Sequence, residues 1–387
     1  MGVPIAYNLR SLSRRPGATA MTALGIALTV TVVMFLQMLL AGLDRAFLAS
    51  GDPLNVMVLR KGSEAEMSSY IVSEQLEVMK TLPGLARDAA GRPLASPEMI
   101  VLIVLPRADG TEANVTVRGL TLPGLEVHPA VRLVQGRWFT PGQREVVVSR
   151  RITRRFTGAG VGEDIAFGNA RWRVVGCFDA GGTAPDSEIW GDYHLMAEAF
   201  DRQGGASSML LRAESPEAVE GIRRAVENDQ RLKLDGKRET DYYAGQTDSS
   251  GAPIRFVGTV IALIMAVGSC FAAMNTMYAA VAYRSREIAT LRVIGFSRAS
   301  ILLCFVLEAV ALSLLGAAVG VAAVLPLDGL ATGTSNMVTF GEAIFSLTVT
   351  SRTVLNAVVF AALLGAVGGF APAWHASRRE ILGALRE

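Results

Sequence analysis

The sequence predicts a membrane protein of four transmembrane α-helices with a large mixed α/β extracytoplasmic domain between helices 1 and 2. Three observations carry this reading. Four apolar runs each reach the roughly 20 residues needed to cross a bilayer. Arginines gather at the ends of those runs on alternate sides. Residues 44–255, between the first and second runs, hold glycine, proline and charge at the density of a soluble domain. Composition agrees: of 387 residues, 51% are hydrophobic and 19% charged, with mean hydropathy +0.36, where a soluble domain carries about 25% charge.

The runs are 17–43, 256–282, 301–327 and 354–374. No charge interrupts the first, whose length is about twice the 7–15 residues of a signal-peptide core, so it reads as a signal anchor that stays in the protein. Arg10, Arg14 and Arg15 precede it. Arg284, Arg286, Arg292 and Arg298 lie between the second and third runs, and Arg378, Arg379 and Arg386 follow the fourth. The loop 328–353 holds only Arg352, with Asp328 and Glu342. The positive-inside rule then places the segment 1–16, the loop 283–300 and the tail 375–387 in the cytoplasm. It places 44–255 and the short loop 328–353 outside. A net charge of +2 with no basic patch argues against a nucleic-acid partner. Cys177 stands alone in the outer segment, and Cys270 and Cys304 lie in apolar runs, so no disulfide is expected within that segment.

Within 44–255, residues 53–59, 99–105, 113–118, 145–149 and 170–176 read as strands, and 63–82 as helical. Ser215 is a helix N-cap, followed by Pro216 at the first helical position and by Val219, Ile222 and Val226 at helical spacing. About 200 residues suffice for an independent core, and 52–248 is expected to fold alone. Chemistry is hard to find there. Gly158, Gly160 and Gly162 lack the GxGxxG spacing and read as a turn, and no GxxxxGK[ST] pattern occurs, so no P-loop is expected. His128 and His194 lack metal-ligand spacing. Asp186, Glu188 and Asp192 read as a solvated loop, with partner docking or cation binding as the sharper alternative. No nucleophile–base pair is recognisable, and no metal site or enzyme activity is expected.

The loop 283–300 is the informative stretch. Ile288, Leu291 and Gly295 fall at i, i+3 and i+7, one helical stripe, with Arg284, Glu287 and Arg298 largely off it. Sixteen residues as helix would reach about 24 Å. By spacing alone this fits a lipid-surface anchor as well as a protein-gripped handle. Glu308, about eight residues into the third run, is an intramembrane acid whose ionisation would cost about 2.5–3.5 kcal/mol at mid-membrane. It calls for an arginine or backbone partner, or for a role in bracing the loop.

Tyr283-Arg-Ser-Arg-Glu-Ile-Ala-Thr-Leu-Arg-Val-Ile-Gly-Phe-Ser297 resembles the R-x-x-E-I-x-x-L-R-x-x-G-x-S segment of the FtsX/MacB-like permeases of ABC transporters. Glu308 matches the acid that follows in that family's third helix, and Pro372-Ala-Trp-His-Ala-Ser-Arg its closing segment. Val134-Gln-Gly-Arg-Trp-Phe and Trp172-Arg-Val-Val-Gly176 are similar to its outer-domain signatures. The resemblance implies that 283–300 is a cytoplasmic coupling helix, with Arg284, Arg286, Glu287, Ile288, Leu291, Arg292 and Gly295 facing an ATPase. It implies a permease dimer, formed with a second copy of this chain, above a dimer of ABC ATPase subunits. ATP and Mg would be bound by those subunits, with no cofactor in this chain. MacB-type chains fuse the ATPase to the permease, and only a short stretch precedes the first run here, so a separate ATPase polypeptide is expected. Further family partners are a periplasmic adaptor, an outer-membrane duct and membrane lipid. The implied activity is mechanotransmission in the inner membrane of a bacterium, exporting or extracting a hydrophobic or amphipathic substrate. The alternatives are an FtsX-like signalling permease that activates an extracellular partner, and a lipoprotein-releasing permease.

Overall fold

The computed structural model describes residues 16–336 and 339–378. The topology-setting Arg10, Arg14, Arg15, Arg379 and Arg386, with most of the segments 1–16 and 375–387, lie outside the described residues. In chain order the elements are α1 (Pro16–Leu48), β1 (Asn55–Arg60), β2 (Ile71–Val72), α2 (Ser73–Met79), β3 (Ala95–Pro106), β4 (Glu112–Leu120), α3 (Leu122–Val127), β5 (Arg132–Gly136) and β6 (Glu145–Ser149). There follow α4 (Arg150–Arg155), β7 (Asp164–Phe167), β8 (Ala170–Asp179), β9 (Glu188–Asp192), α5 (Tyr193–Ala199), β10 (Gly205–Ala206), β11 (Ser208–Arg212), α6 (Pro216–Asn228) and β12 (Leu234–Arg238). The chain ends with α7 (Glu239–Tyr283), α8 (Ser285–Val293), α9 (Arg298–Val324), the strands β13 (Ala331–Ser335) and β14 (Glu342–Ser346), and α10 (Ser351–Arg378).

Among the described residues, four helices (α1, α7, α9 with its 3-10 extension, and α10) are long and apolar enough to cross a membrane. They overrun the apolar runs read from sequence. The helix α1 continues to Leu48, and α7 begins at Glu239, well before residue 256. The fold divides into a helical unit (through Ala41, Pro253–Leu330 and from Leu347) and an α/β unit (Gly42–Ala252 with Ala331–Ser346).

In the helical unit, small residues let backbones approach. A Cβ on Gly316 would lie 2.7 Å from Ala23 O, and one on Gly320 2.7 Å from Ala27 O. Ile26, Val30, Met34 and Met38 of α1 share a core with Ala317 and Val324 of α9 and with Ala357 and Ala361 of α10. A second cluster joins Met277 and Val281 of α7, Ile288 of α8, Ile301, Phe305 and Ala309 of α9, and Ala373 and Ala376 of α10.

The α/β unit is built on a 10-stranded mixed sheet in the order β12-β1-β11-β3-β4-β9-β6-β8-β5, with β7 on β8. The pairs β4–β9 and β6–β8 are parallel and the others antiparallel. The Val- and Ile-rich strands β3, β4 and β6 supply the main core, and α6 covers it with Val219, Ile222 and Val226. Ser215 caps α6 by accepting a hydrogen bond from Ala218 N at 3.3 Å, as its sequence predicts.

Three expectations change. The helical reading of 63–82 shrinks to α2, because Glu66–Ser68 forms a 3-10 turn and Ile71–Val72 a strand. Asp186, Glu188 and Asp192 are 2%, 5% and 5% exposed, so they are neither a solvated loop nor a docking loop. Asp186 accepts from Ala180 N and Gly182 N, and Asp192 caps α5 by accepting from Leu195 N. Within the loop 328–353, β13 and β14 pair as a hairpin that belongs to the α/β unit. The expected independent segment 52–248 therefore omits Phe47, Ile344 and Phe345, which are 6%, 3% and 1% exposed in the α/β unit.

Candidate functional site

The segment 283–300 folds around a nine-residue helix, α8, in place of the longer one the spacing allowed. At 1.5 Å per residue it spans about 13 Å. Gly295 ends it: at φ +103° this residue takes a conformation that side chains disfavour. Gly295 N donates to Arg292 O at 3.2 Å and Phe296 N to Leu291 O at 3.1 Å, the paired bonds of a Schellman stop. Gly295 therefore stands in the turn after the helix and is no part of an apolar stripe. Ser297 opens α9 at once, accepting from Ser300 N at 3.1 Å.

The predicted site residues separate into two groups. Ile288 is 3% exposed and packs into the core of the helical unit, so it holds α8 to its own chain. Leu291 and Arg292 are half-buried. Arg284 also turns inward: its Nη1 donates to Glu308 Oε2 at 3.1 Å and its Nη2 to Glu308 Oε1 at 3.2 Å. Glu308 is 3% exposed, and the intramembrane acid thus has the arginine partner that burial demands. The two-pronged fork fixes orientation as well as charge. It ties the residue preceding α8 to the third turn of α9. Arg286 and Glu287 are exposed. So are Val293 and Ile294, at 64% and 66%, a pair of large apolar residues at the tip of α8 that sequence reasoning passed over. The glycine two residues after Val293 was the available signal, because it marks where the helix stops and what its last turn shows.

The α/β unit holds the other concentration of charge. Arg118 of β4 is 3% exposed. Its Nε and Nη2 donate to Glu188 Oε2 and Oε1, both at 2.8 Å. Nη1 and Nη2 donate to Glu66 Oε1 and Oε2 at 2.9 and 3.1 Å, and Nη1 also pairs with Glu98. Around this hub, Glu98 Oε1 meets His128 Nε2 at 2.9 Å, Trp190 Nε1 donates to Glu188 at 2.7 Å and Ser208 Oγ to Glu66 at 2.6 Å. Burial would raise the Glu98 carboxyl, but His128 and Arg118 outweigh it and hold that carboxyl at about 2. Burial likewise opposes protonation of His128, and Glu98 overrides it to raise the histidine. No nucleophile joins the cluster. It is a closed, mutually satisfied network that fixes β4, β3, β9 and the 3-10 turn at 66–68 in one arrangement.

Residues 19–229 match the family model of the MacB-like periplasmic core domain, and residues 259–381 that of the FtsX-like permease C-terminal. The first match alone covers more than half of the 387 residues. The chain belongs to the FtsX/MacB-like permease family. This permease is 26% identical over 401 residues to the macrolide export ATP-binding/permease protein MacB of Rhodopseudomonas palustris (strain HaA2), covering 98% of this chain and 58% of that protein. It is 29% identical over 258 residues to a probable export ATP-binding/permease protein of Pseudomonas fluorescens (strain Pf0-1), covering 63% of this chain and 38% of that protein. The chain thus spans less than two thirds of the length of either relative. The crystal structure of the periplasmic region of MacB from Actinobacillus actinomycetemcomitans overlaps it with TM-score 0.38 at 10% identity, over 50% of this chain and 92% of that one. With its four apolar helices, the permease is a multi-pass membrane protein of the bacterial ABC transporter class.

Proposed function

We propose that this permease converts ATP hydrolysis by an ABC ATPase into movement of its α/β domain, exporting or extracting a hydrophobic or amphipathic substrate. The ATPase, with its ATP and Mg, lies outside these 387 residues, which contain no P-loop pattern. In this reading α8 and both termini are cytoplasmic, and the α/β domain is periplasmic. A second copy of the permease, a periplasmic adaptor and an outer-membrane duct complete the assembly.

The observation that carries the proposal is the exposed tip of α8. Ile288 and the Arg284–Glu308 pair secure the helix to its own unit, while Val293 and Ile294 stand exposed at its C-terminal end and Arg286 and Glu287 stand exposed on its first turn. Large apolar residues left exposed on a short helix that also shows charge suit a protein-binding patch. The ATPase contact is therefore assigned to Arg286, Glu287, Val293 and Ile294, with Ile288 and Arg284 holding the lever in place. Detergent co-purification with mass spectrometry tests this. An ABC ATPase is expected to accompany wild-type permease, and its absence would refute the proposal. Labelling with a membrane-impermeant thiol reagent in intact cells is expected at Gln143→Cys and not at Val293→Cys. The reverse pattern would overturn the topology.

A further inference from the structure

The strands β13 and β14 lie between α9 and α10 in sequence, yet they fold as part of the α/β unit. Their attachment is specific. Glu342, 4% exposed, is clamped between Arg107, whose Nη2 lies at 3.0 Å, and Arg155, whose Nη2 lies at 2.8 Å. Arg151 Nη1 donates to Ile344 O at 2.9 Å, and Ile344 N donates to Ser187 Oγ at 2.7 Å. Asn114 Nδ2 donates to Phe340 O at 3.1 Å. Ile344 and Phe345 are buried beneath these bonds. A Cβ on Gly341 would lie 2.6 Å from Thr116 Oγ1, so the hairpin backbone sits directly on β4.

The root of the hairpin has no slack. Gly329 N donates to Leu347 O and Leu347 N to Leu330 O, both at 2.9 Å. The next rung is Ala331 opposite Ser346. On the other side of the root, Val349 N donates to Asp328 Oδ1 at 2.8 Å, and Thr350 Oγ1 accepts from Thr353 N at 3.1 Å at the start of α10. Among the described residues, backbone or side-chain hydrogen bonds thus run through the root of the hairpin on both strands, from the end of α9 and to the start of α10. A segment that served only to fill a core would need Ile344 and Phe345 buried and would tolerate loose connections. Charge-assisted arginine bonds and an unbroken ladder do more, because they resist pull in a fixed direction.

We propose that the β13–β14 hairpin is a taut strap through which α9 and α10 move the α/β domain, gripped by Glu342 between Arg107 and Arg155. The proposal rests on the function proposed above, in which ATP hydrolysis moves those helices. The test uses the full-length permease in lipid nanodiscs with its co-purified ATPase, and a fluorophore on Gln143→Cys reports the ATP-driven response of the domain. In one variant, about six Gly/Ser residues inserted both between Leu330 and Ala331 and between Ser346 and Leu347 add roughly 14 Å of reach at each connection. The clamp itself is untouched. In a second variant, Glu342→Ala is combined with Thr116→Cys and Gly341→Cys, a pair within disulfide reach.

The strap requires that slack lower the ATP-driven response about fivefold or more, with ATPase retention and domain unfolding unchanged. The Glu342→Ala variant is expected to lose the response when reduced and regain it when the disulfide forms. A slackened permease that responds like wild type would show the hairpin to be core filling alone and overturn the proposal. If insertion disturbs folding, failure of the disulfide to restore the second variant overturns it equally. A wild-type permease that retains no ATPase would instead sink the function on which the strap rests.

Discussion

Two regions of this permease use arginine and glutamate in opposite ways. In the α/β domain, Arg118 spends its donors on three carboxylates, and all four side chains are buried. The cluster pairs its charges with one another. At α8, a single pair, Arg284–Glu308, fastens one end of a short helix whose other end displays Val293 and Ile294. The first arrangement makes a stiff body. The second makes a short helix with one end fixed and the other exposed. The proposed coupling would use both, because force applied to a soft body would be lost in deforming it.

The contrast is sharpened by breaking each region in turn. The largest effect is expected from Arg118→Met, which leaves Glu66, Glu98 and Glu188 buried without their common partner. Removing one side of such an ion cluster costs about 3–5 kcal/mol. Tryptophan fluorescence in denaturant, with Trp190 reporting from beside Glu188, is expected to show the α/β domain unfolding first. Retained wild-type unfolding would mean that the hub is not what stiffens the domain.

Acid should attack the same network. The carboxyl of Glu98 falls from 4.5 to about 2 in the folded protein. A lowered carboxyl contributes stability that is fully present above its unfolded value and is lost as pH falls toward 2, worth roughly 3 kcal/mol in all. His128 has the opposite sign. Its raised value contributes stability below the unfolded value of 6.5, lost as pH rises through the folded one. Unfolding midpoints measured across pH are expected to fall on both sides, and His128→Asn should flatten the alkaline limb.

At the lever, Glu308→Ala is expected to cost about 1.5–3 kcal/mol, the worth of hydrogen bonds to a charged group. The main loss should appear as ATPase activity that no longer responds to the permease, with Glu308→Gln intermediate. Smaller again is Gly295→Val, which forces a β-branched side chain to φ +103°. Left-handed backbone costs about 1–2 kcal/mol, and hydrogen exchange should show the last turn of α8 fraying while α9 is unchanged.

Much of this architecture was legible in sequence because its signals are local. Arginine placement and apolar run length announce the four helices, and Ser215-Pro216 with Val219, Ile222 and Val226 announces α6. The Arg118 hub was not legible. Its partners at 66, 98 and 188 come from distant parts of the chain, and only the register of β4 with β9, which sets Arg118 opposite Trp190, brings them together. The β13 strand was missed because Ala-Thr-Gly-Thr-Ser has no apolar alternation, and its stability comes from the domain on which it rests. Ile288 and Leu291 showed a stripe, but a stripe does not say which neighbour it meets. The structure gives Ile288 to the permease itself.

The central claim is that the exposed tip of α8 receives the ATPase while the buried side of the lever holds. It is tested most directly by Val293→Asp combined with Ile294→Asp, measured as the amount of ATPase retained per permease on detergent co-purification. Both side chains are largely exposed, and surface substitutions of this kind change stability by about 0.5 kcal/mol or less. The account predicts a permease that inserts and unfolds like wild type but no longer retains the ATPase. Wild-type retention by this double variant would contradict it.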